Sequence, residues 1–257
     1  MAISPRILII AGSDSGGGAG IQADIKTVTM LGGHAMTAIT AITAQNTLGV
    51  QAVLPVPTAM VVAQIDSVIE DIGVDAVKIG MIGSAETAHA VADRLERVSV
   101  PIVFDPVMVA TSGAALADEA TIAAFDRLMR LASVVTPNLP ELEALGGEAA
   151  ILERGCHLLV KGGHGAGDEI VDRLLSPSGP PRELRGRRFD TTDTHGTGCT
   201  LASALACGLG AGFAIGKAFE QAVSFVRIAI LEAPGLGRGH GPLGQQFVTD
   251  FQWGERD

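Results

Sequence analysis

The stretch Ile7-Leu-Ile-Ile-Ala-Gly-Ser-Asp-Ser-Gly-Gly-Gly-Ala-Gly-Ile-Gln-Ala-Asp24 joins an apolar run to a glycine-rich loop and then to the start of a helical segment. The β-branched run Ile7–Ala11 predicts a short buried strand, and Gly20–Leu31 predicts a helix behind the loop. A strand that leads through a loop into a helix is the repeating unit of α/β folds, so this stretch points to that fold class.

The rest of the chain continues the same alternation. Apolar faces with helical spacing follow strand-like runs, which predicts a mostly parallel sheet covered by helices on both faces. One α/β domain often has a length near 257 residues, so we expect a single domain over residues 1–257. The other predicted strands are Ala38–Thr43, Ala76–Met81, Ile102–Phe104, Ser133–Thr136, His157–Lys161 and Glu169–Leu175, and Ser176–Pro181 is predicted to be a surface turn.

Polar or glycine-rich clusters follow several of these strands. Ligands of parallel sheets bind beyond the carboxyl ends of the strands, so the pattern predicts one shared site at that edge. The clusters come after Ala11, Thr43, Met81, Phe104, Val135 and Val160.

The composition excludes several classes of partner. A formal net charge of -10 argues against nucleic acid and anionic membranes, because neither surface attracts an acidic protein. The uncharged segment Gly196–Gly216 is rich in Gly, Ala, Ser and Thr, so it predicts a buried helix and not a membrane span. The three cysteines show no metal-ligand spacing and no signal peptide is evident, so we expect a cytoplasmic protein.

Two known phosphate-binding signatures do not fit this sequence. Gly18–Ala23 matches the dinucleotide fingerprint, but no acidic residue occurs from Ile25 to Ile65 to hold a ribose, so we reject an oxidoreductase. The loop glycines then either let the backbone approach a small substrate or form a purely structural turn. No Walker-type loop is present. The run Gly196-Thr-Gly-Cys199 before an apolar helix instead favours an anion hole, with an ordinary loop as the alternative.

Other polar positions have a functional and a structural reading that the residues alone leave open. Asp105 at a strand end suits hydrated Mg²⁺ or a turn, and Glu141 suits the same region or helix capping. Lys161 before a glycine turn lines a nucleotide or belongs to a hairpin. Cys199 is either a small buried hydrophobe or a thiol whose pKa is lowered by the helix dipole.

Taken in order, the motifs resemble the ribokinase-like superfamily, and specifically the hydroxymethylpyrimidine/phosphomethylpyrimidine kinases. The resemblance implies a three-layer α/β/α sandwich with a mostly parallel central sheet and no large inserted lid domain. It also implies ATP- and Mg²⁺-dependent phosphorylation of 4-amino-5-hydroxymethyl-2-methylpyrimidine to its monophosphate and then its diphosphate, in thiamine biosynthesis, by a homodimer. The motifs are Ala11–Asp24, Ala44–Thr47, Lys78–Met81, Asp105–Val109, Thr136–Asn138 with Glu141, Lys161–His164 and His195–Cys199.

The same resemblance implies a role for each matching residue. The substrate-binding positions are Gly12, Asp24, Gln45, Met81 and Val109, and the nucleotide-binding positions are Asn138, Lys161, Gly163, Asp193 and His195. The metal positions are Asp105 and Glu141, and the catalytic anion hole comprises Gly196, Thr197, Gly198 and Cys199. The Gln45 amide has both a donor and an acceptor for a pyrimidine edge. Cys199 replaces the aspartate base of wider relatives, which suits a phosphomonoester nucleophile that needs no base.

The sequence departs from the family pattern in a few places. Residues Ala110–Ala115 lack the Lys or Asp that relatives often carry in this lid segment, and Gln245 stands near a position where a histidine is expected. No second domain is attached, so a fused thiamine-phosphate synthase activity is not expected. Two alternatives remain: a pyridoxal kinase, which would carry a lid cysteine where Ala110 stands, and a pyrimidine sensor, which would have lost its phosphate-site residues.

Overall fold

The fold was analysed in a computed structural model that describes residues 4–110, 113, 115–164, 167–249 and 251. Within these residues nine strands form one sheet in the order β3-β2-β1-β4-β5-β6-β7-β8-β9. The strands are β1 (Arg6–Asp14), β2 (His34–Asn46), β3 (Gly49–Pro55), β4 (Ala76–Ile79), β5 (Ile102–Phe104), β6 (Val134–Val135), β7 (His157–Val160), β8 (Glu169–Ser176) and β9 (Gly179–Arg187).

Eight α-helices occur in the described part of the chain, and most lie between consecutive strands. They are α1 (Gly20–Met30), α2 (Thr58–Asp71), α3 (Ala85–Leu95), α4 (Glu119–Leu131), α5 (Leu139–Ala144), α6 (Gly147–Leu152), α7 (Thr197–Gly210) and α8 (Ile215–Leu231). No helix among the described residues is long and apolar enough to cross a membrane.

Alternating side chains of β1 build the two sides of the core. Leu8 and Ile10 belong to one buried apolar cluster, which includes residues of α2, α3 and α4. Ile7 and Ile9 belong to the other, which includes residues of α1, α7 and α8. Each fully buried Ile or Leu contributes about 1.5–3 kcal/mol, so a strand buried on both faces anchors the middle of the sandwich. The three-layer α/β/α fold predicted from the sequence is confirmed.

The six strands β2, β1, β4, β5, β6 and β7 run parallel to one another. Their carboxyl ends therefore meet at one edge, where the polar and glycine-rich clusters were expected. The outer strands are antiparallel: β3 pairs with β2, β8 with β7, and β9 with β8. The described residues contain no inserted lid domain, only an antiparallel bridge between Val109 and Ala115.

Two edge strands were missed by the sequence analysis. β3 is mostly exposed, and β9 contains Pro180 and Pro181 with few buried residues. Edge strands tolerate proline and carry no buried face to impose an apolar alternation, so their sequences look like loops. The predicted turn Ser176–Pro181 is accordingly the tip of the β8–β9 hairpin.

Candidate active site

Asp14, at the end of β1, organises the glycine-rich loop. Its carboxylate accepts hydrogen bonds from the backbone N–H groups of Gly16 (2.8 Å), Gly18 (3.0 Å) and Ala19 (2.8 Å). Burial alone would raise the Asp14 pKa, but a hydrogen bond with His195 and these backbone donors outweigh it, so the pKa lies below its usual range. Sequence reasoning gave Asp14 no role, although its place in the first motif was a signal.

His195 lies where the glycine loop, β2 and the entrance to α7 meet. Its Nε2 is 2.9 Å from Asp14 Oδ2 and 3.1 Å from the Gln45 amide nitrogen. The predicted nucleotide residue His195 and the predicted substrate residue Gln45 are therefore direct neighbours. The Gln45 amide also lies 3.2 Å from Thr43 Oγ1, and its side chain keeps some exposure.

Gly12 and Met81 meet at the neighbouring ends of β1 and β4. A methyl group built on Gly12 would lie 3.0 Å from Met81 Sδ, so the glycine leaves room for the thioether. Val109 lies beyond β5 with 52% of its surface exposed, and its contact with substrate stays a prediction. Of the divergent lid segment Ala110–Ala115, positions 111, 112 and 114 lie outside the described residues.

Asp24, a predicted substrate-binding residue, forms a buried ion pair. Its side chain is fully buried, with Oδ2 2.8 Å from Lys78 Nζ and Oδ1 accepting a 2.7 Å hydrogen bond from Ser203. Both carboxylate oxygens therefore have partners within the protein, and a contact between Asp24 and substrate stays a prediction. Desolvation would lower the Lys78 pKa, but the charges of Asp24 and of other nearby acids outweigh it and raise the pKa. Asp24 joins α1, β4 and α7.

A second charged cluster gathers residues predicted for metal and nucleotide. Lys161 Nζ, just after β7, lies 2.7 Å from Asp105 Oδ1 and 3.8 Å from Glu141 Oε2. Asp105 Oδ1 also accepts a 3.0 Å hydrogen bond from Thr136 Oγ1. Burial would lower the Lys161 pKa, but the two carboxylates raise it, so the lysine is a fixed cation.

Asn138 and Glu141 form a capping box at the start of α5. The Asn138 side chain accepts from Glu141 N–H (2.9 Å), and Glu141 Oε2 accepts from Asn138 N–H (2.8 Å). The interpretation of Glu141 as a helix-capping residue is therefore correct. The carboxylate is also 94% buried, and this burial raises its pKa despite the attraction of Lys161. Glu141 can therefore cap α5 and at the same time lie in the charged cluster with Asp105.

The loop before α7 approaches both clusters. Gly196 has φ +91° and faces the Gly18 carbonyl so closely that a side chain would overlap it, which explains the glycine. A methyl group on Gly198 would lie 3.1 Å from Lys161 Nζ and 3.5 Å from Asp105 Oδ2. The first N–H groups of a helix have no intrahelical acceptor. The predicted anion hole therefore lies beside Lys161 and Asp105 at Gly198, whereas the Thr197 N–H donates to the Thr194 carbonyl (3.3 Å).

Cys199 differs from the expectation of a lowered thiol pKa. Desolvation raises its pKa to about 11, and nearby Asp24 and Asp105 add to the rise while the Lys78 charge opposes it. Burial and the carboxylates therefore outweigh the helix dipole at this position. At neutral pH the side chain is a neutral thiol.

The remaining predicted residues lie around these clusters. The carbonyl of Gly163, in an exposed turn after β7, accepts a 2.7 Å hydrogen bond from Arg188 Nη1. Asp193 packs against Gly241 in the segment that leads to His195. Gln245 is fully buried, and its amide donates a 3.0 Å hydrogen bond to Thr200 Oγ1 of α7. Its departure from the expected histidine therefore changes the packing behind the helix.

The fold and the candidate site together indicate the class of protein. In a mostly parallel α/β/α sandwich, Lys161 and two carboxylates lie beside the glycine-flanked start of α7. The Gln45 amide lies beside His195, which precedes the same helix. Residues of these types suit a transferring phosphoryl group and its acceptor, and with this fold they indicate a small-molecule kinase of the ribokinase-like class.

Comparison with known proteins identifies the family. The model of the family described as phosphomethylpyrimidine kinase matches residues 14–244, so the chain belongs to that family and is a phosphotransferase. The hydroxymethylpyrimidine/phosphomethylpyrimidine kinase of Streptomyces coelicolor is 47% identical over 93% of this chain and 93% of its own length. The thiamine biosynthesis bifunctional protein ThiED of Geobacter sulfurreducens is 46% identical, and the match covers 95% of this chain and 53% of that longer protein.

Solved structures support the same fold. The pyridoxal kinase of Staphylococcus aureus in complex with AMP-PCP and pyridoxal superposes with a TM-score of 0.87 at 30% identity. The match covers 97% of this chain and 96% of the pyridoxal kinase. The ribokinase-like architecture expected from the motifs is thereby confirmed.

Proposed function

We propose that this protein uses ATP to phosphorylate 4-amino-5-hydroxymethyl-2-methylpyrimidine to its monophosphate and then to its diphosphate, for thiamine biosynthesis. The observation that carries the proposal is the convergence of Asp105 and Lys161 on Gly198, three residues after His195, which contacts the Gln45 amide. One group of residues suits a transferring phosphate, and the other suits an aminopyrimidine. The names of the most similar relatives support the same substrate.

The proposed reaction joins the substrate oxygen to the γ-phosphorus of ATP. The bond from that phosphorus to the bridging oxygen of ADP breaks, ADP leaves, and the substrate proton passes to solvent. The transition state of phosphoryl transfer is loose, so positioning and charge stabilisation contribute most of the rate enhancement. Lys161 and the N–H groups of Gly198 and Cys199 supply positive potential on the side of the transferring group.

Asp105 and Glu141 fit a magnesium site. Both are carboxylates, both are nearly buried, and both lie beside Lys161, which prevents an excess of negative charge when phosphates are absent. Mg²⁺ retains water and takes few protein ligands when it binds with substrate phosphates, so two carboxylates suffice. When bound, the ion neutralises charge on the phosphate oxygens.

The neutral Cys199 thiol fits the use of two nucleophiles at one site. A phosphomonoester is already anionic, so it needs no base, and an uncharged thiol does not repel it. In the first step, the bond from the alcohol oxygen to phosphorus is little formed in the loose transition state. The alcohol therefore does not require a strong base either. We assign Cys199 to the wall of the predicted anion hole, where its neutral thiol adds no negative charge beside the transferring phosphate.

Pyridoxal phosphorylation is a second candidate, because the Staphylococcus aureus relative of this fold was solved with pyridoxal. The test is ATP- and Mg²⁺-dependent turnover of hydroxymethylpyrimidine, its monophosphate and pyridoxal side by side. Conversion of both pyrimidines, with pyridoxal at least tenfold slower in kcat/KM, is the expected result. Pyridoxal as the best substrate would move the protein to vitamin B6 salvage and overturn the proposal.

We also propose a cytoplasmic homodimer. Leu54 and Ile42 on the β2–β3 hairpin are 66% and 51% exposed, and they form an apolar face that a second copy would cover. All three cysteines are free, as is usual in a reducing compartment. Sedimentation equilibrium of the wild type and of Leu54→Glu tests the dimer. A monomeric wild type would contradict it.

A further inference from the structure

The starting observation concerns the proton on His195. Its Nε2 lies 2.9 Å from Asp14 Oδ2, and Asp14 already accepts three backbone N–H groups. An ionised carboxylate can only accept hydrogen bonds, so the nitrogen that faces it must donate. His195 therefore carries a proton on Nε2, whether the ring is neutral or cationic.

This proton determines which end of the Gln45 amide faces the ring. The amide nitrogen stands 3.1 Å from His195 Nε2, which sets two N–H donors against each other. The two ends of a glutamine amide have the same size, and their assignment follows from the hydrogen-bond network. With the carbonyl oxygen on the His195 side, no two N–H groups face each other, and the Nε2 proton that Asp14 accepts at 2.9 Å has a second, weaker acceptor at 3.1 Å.

The hydrogen bonds of Thr43 independently support the same orientation of the Gln45 amide. Its hydroxyl lies 2.9 Å from the Ser13 carbonyl and 3.2 Å from the Gln45 amide oxygen, yet a hydroxyl has one proton. When that proton goes to the nearer Ser13 carbonyl, Thr43 presents a lone pair to Gln45. The amide NH₂ group is the partner that satisfies it. Both ends of the amide thus require one orientation.

We propose that Asp14, His195 and Thr43 fix the Gln45 amide with its oxygen toward His195 and its nitrogen toward Thr43, and thereby orient the substrate ring. His195 is then a positioning residue for substrate recognition in addition to any contact with nucleotide. The inference about the ring rests on the proposed function, whereas the orientation of the amide does not.

The fixed amide selects one orientation of an aminopyrimidine. Ring nitrogen N3 is an acceptor and the neighbouring 4-amino group is a donor, so N3 faces the amide nitrogen on the Thr43 side. The amino group then faces the amide oxygen on the His195 side. The 5-hydroxymethyl group is adjacent to the amino group, on the side away from N3. It therefore points past His195 toward residues 196–199, where the phosphoryl group is expected.

The reversed amide would turn the same ring around and direct the hydroxymethyl group away from the anion hole. It would instead suit a 4-oxo ring, whose carbonyl accepts and whose N3–H donates. The proposal therefore predicts strong discrimination between the 4-amino substrate and its 4-oxo analogue. A buried donor–acceptor mismatch of this kind costs on the order of a hundredfold or more in kcat/KM.

NMR of the ligand-free protein tests the hydrogen bonds without relying on activity. The chain has six histidines, and the ¹⁵N signals of His195 are assigned by comparison with His195→Gln. We expect protonated Nε2, and nuclear Overhauser contacts from the Gln45 NH₂ protons to the Thr43 methyl group. An unprotonated Nε2, or NH₂ contacts to the His195 ring in place of Thr43, would overturn the assignment.

Kinetics tests the consequence for the substrate. Thr43→Val removes the hydroxyl lone pair that accepts from the Gln45 amide. The KM for hydroxymethylpyrimidine should therefore rise about tenfold, and the preference for the 4-amino over the 4-oxo ring should fall. The KM for ATP should stay unchanged. Thr43→Ser should restore both. Thr27→Val is the matched control, because the Thr27 hydroxyl is buried but bonds only to Ala23 in α1.

An unchanged amino/oxo preference in Thr43→Val would overturn the orienting role. If the wild type converts neither pyrimidine, the proposed function and the ring orientation fail together. The NMR result then decides the amide orientation by itself.

Discussion

Lys78 Nζ lies 2.8 Å from Asp24 Oδ2, and neither side chain exposes any surface. The pair joins β4 to α1, and Ser203 extends it to α7. Removing one partner of a buried ion pair leaves an uncompensated charge, whereas removing both is often tolerated. Since α1 follows the glycine loop and α7 begins at the predicted anion hole, the pair holds together the two helices that border the candidate site.

Lys78→Met should therefore lower the free energy of unfolding by about 3–5 kcal/mol. The double variant Lys78→Met/Asp24→Leu should recover most of that loss. Urea unfolding of both single variants and of the double variant measures the coupling. Lys217→Met is a surface control that should stay within about 0.5 kcal/mol of the wild type. Additive losses in the double variant would contradict the ion-pair argument.

The lowered pKa of Asp14 predicts the direction in which the stability of the protein changes with pH. Its pKa is lower in the folded protein than in the unfolded chain, where it is about 3.9. The carboxylate therefore stabilises the fold fully above about pH 4, and this contribution is lost as pH falls through the folded pKa.

The measurement compares Asp14→Asn with the wild type by urea unfolding from pH 7 to pH 2. The difference between them should be constant above about pH 5 and shrink at lower pH. Differences are needed because other carboxyls, such as Asp126, also have lowered pKa values. A difference that is the same at pH 6 and pH 2.5 would show that Asp14 acts without its charge.

Gly18 predicts a steric effect on the ring of His195. A methyl group built on Gly18 would overlap His195 Cδ2, and the Gly18 backbone does not itself require glycine. Gly18→Ala should displace the imidazole, cost about 1–3 kcal/mol of stability and reduce turnover. Gly179→Ala is the control, since its methyl group would meet only ordinary contacts at 3.6 Å or more. Equal activity of the two variants would contradict the prediction.

Apolar strands and their glycine-rich ends predict the parallel sheet and the edge that holds the site, because buried strands carry a local signal. β3 and β9 carry none, since their residues are mostly exposed. Contacts between residues far apart in the sequence could not be predicted either. The Asp14–His195 hydrogen bond spans 181 positions and the Asp24–Lys78 pair spans 54, so no local sequence pattern indicates either contact.

The raised Cys199 pKa leads to a prediction about charge at the anion hole. Because the thiol pKa is about 11, the side chain stays neutral across the working pH range, and iodoacetamide should modify it slowly at pH 7.5. Cys199→Asp introduces a carboxylate that repels the anionic phosphomonoester but not the neutral alcohol. Phosphorylation of hydroxymethylpyrimidine should therefore survive within about tenfold, while that of its monophosphate should fall at least about a hundredfold. Cys199→Asn has nearly the same shape without the charge and should retain both steps. Equal losses in the two steps for Cys199→Asp would mean that shape, and not charge, governs this position.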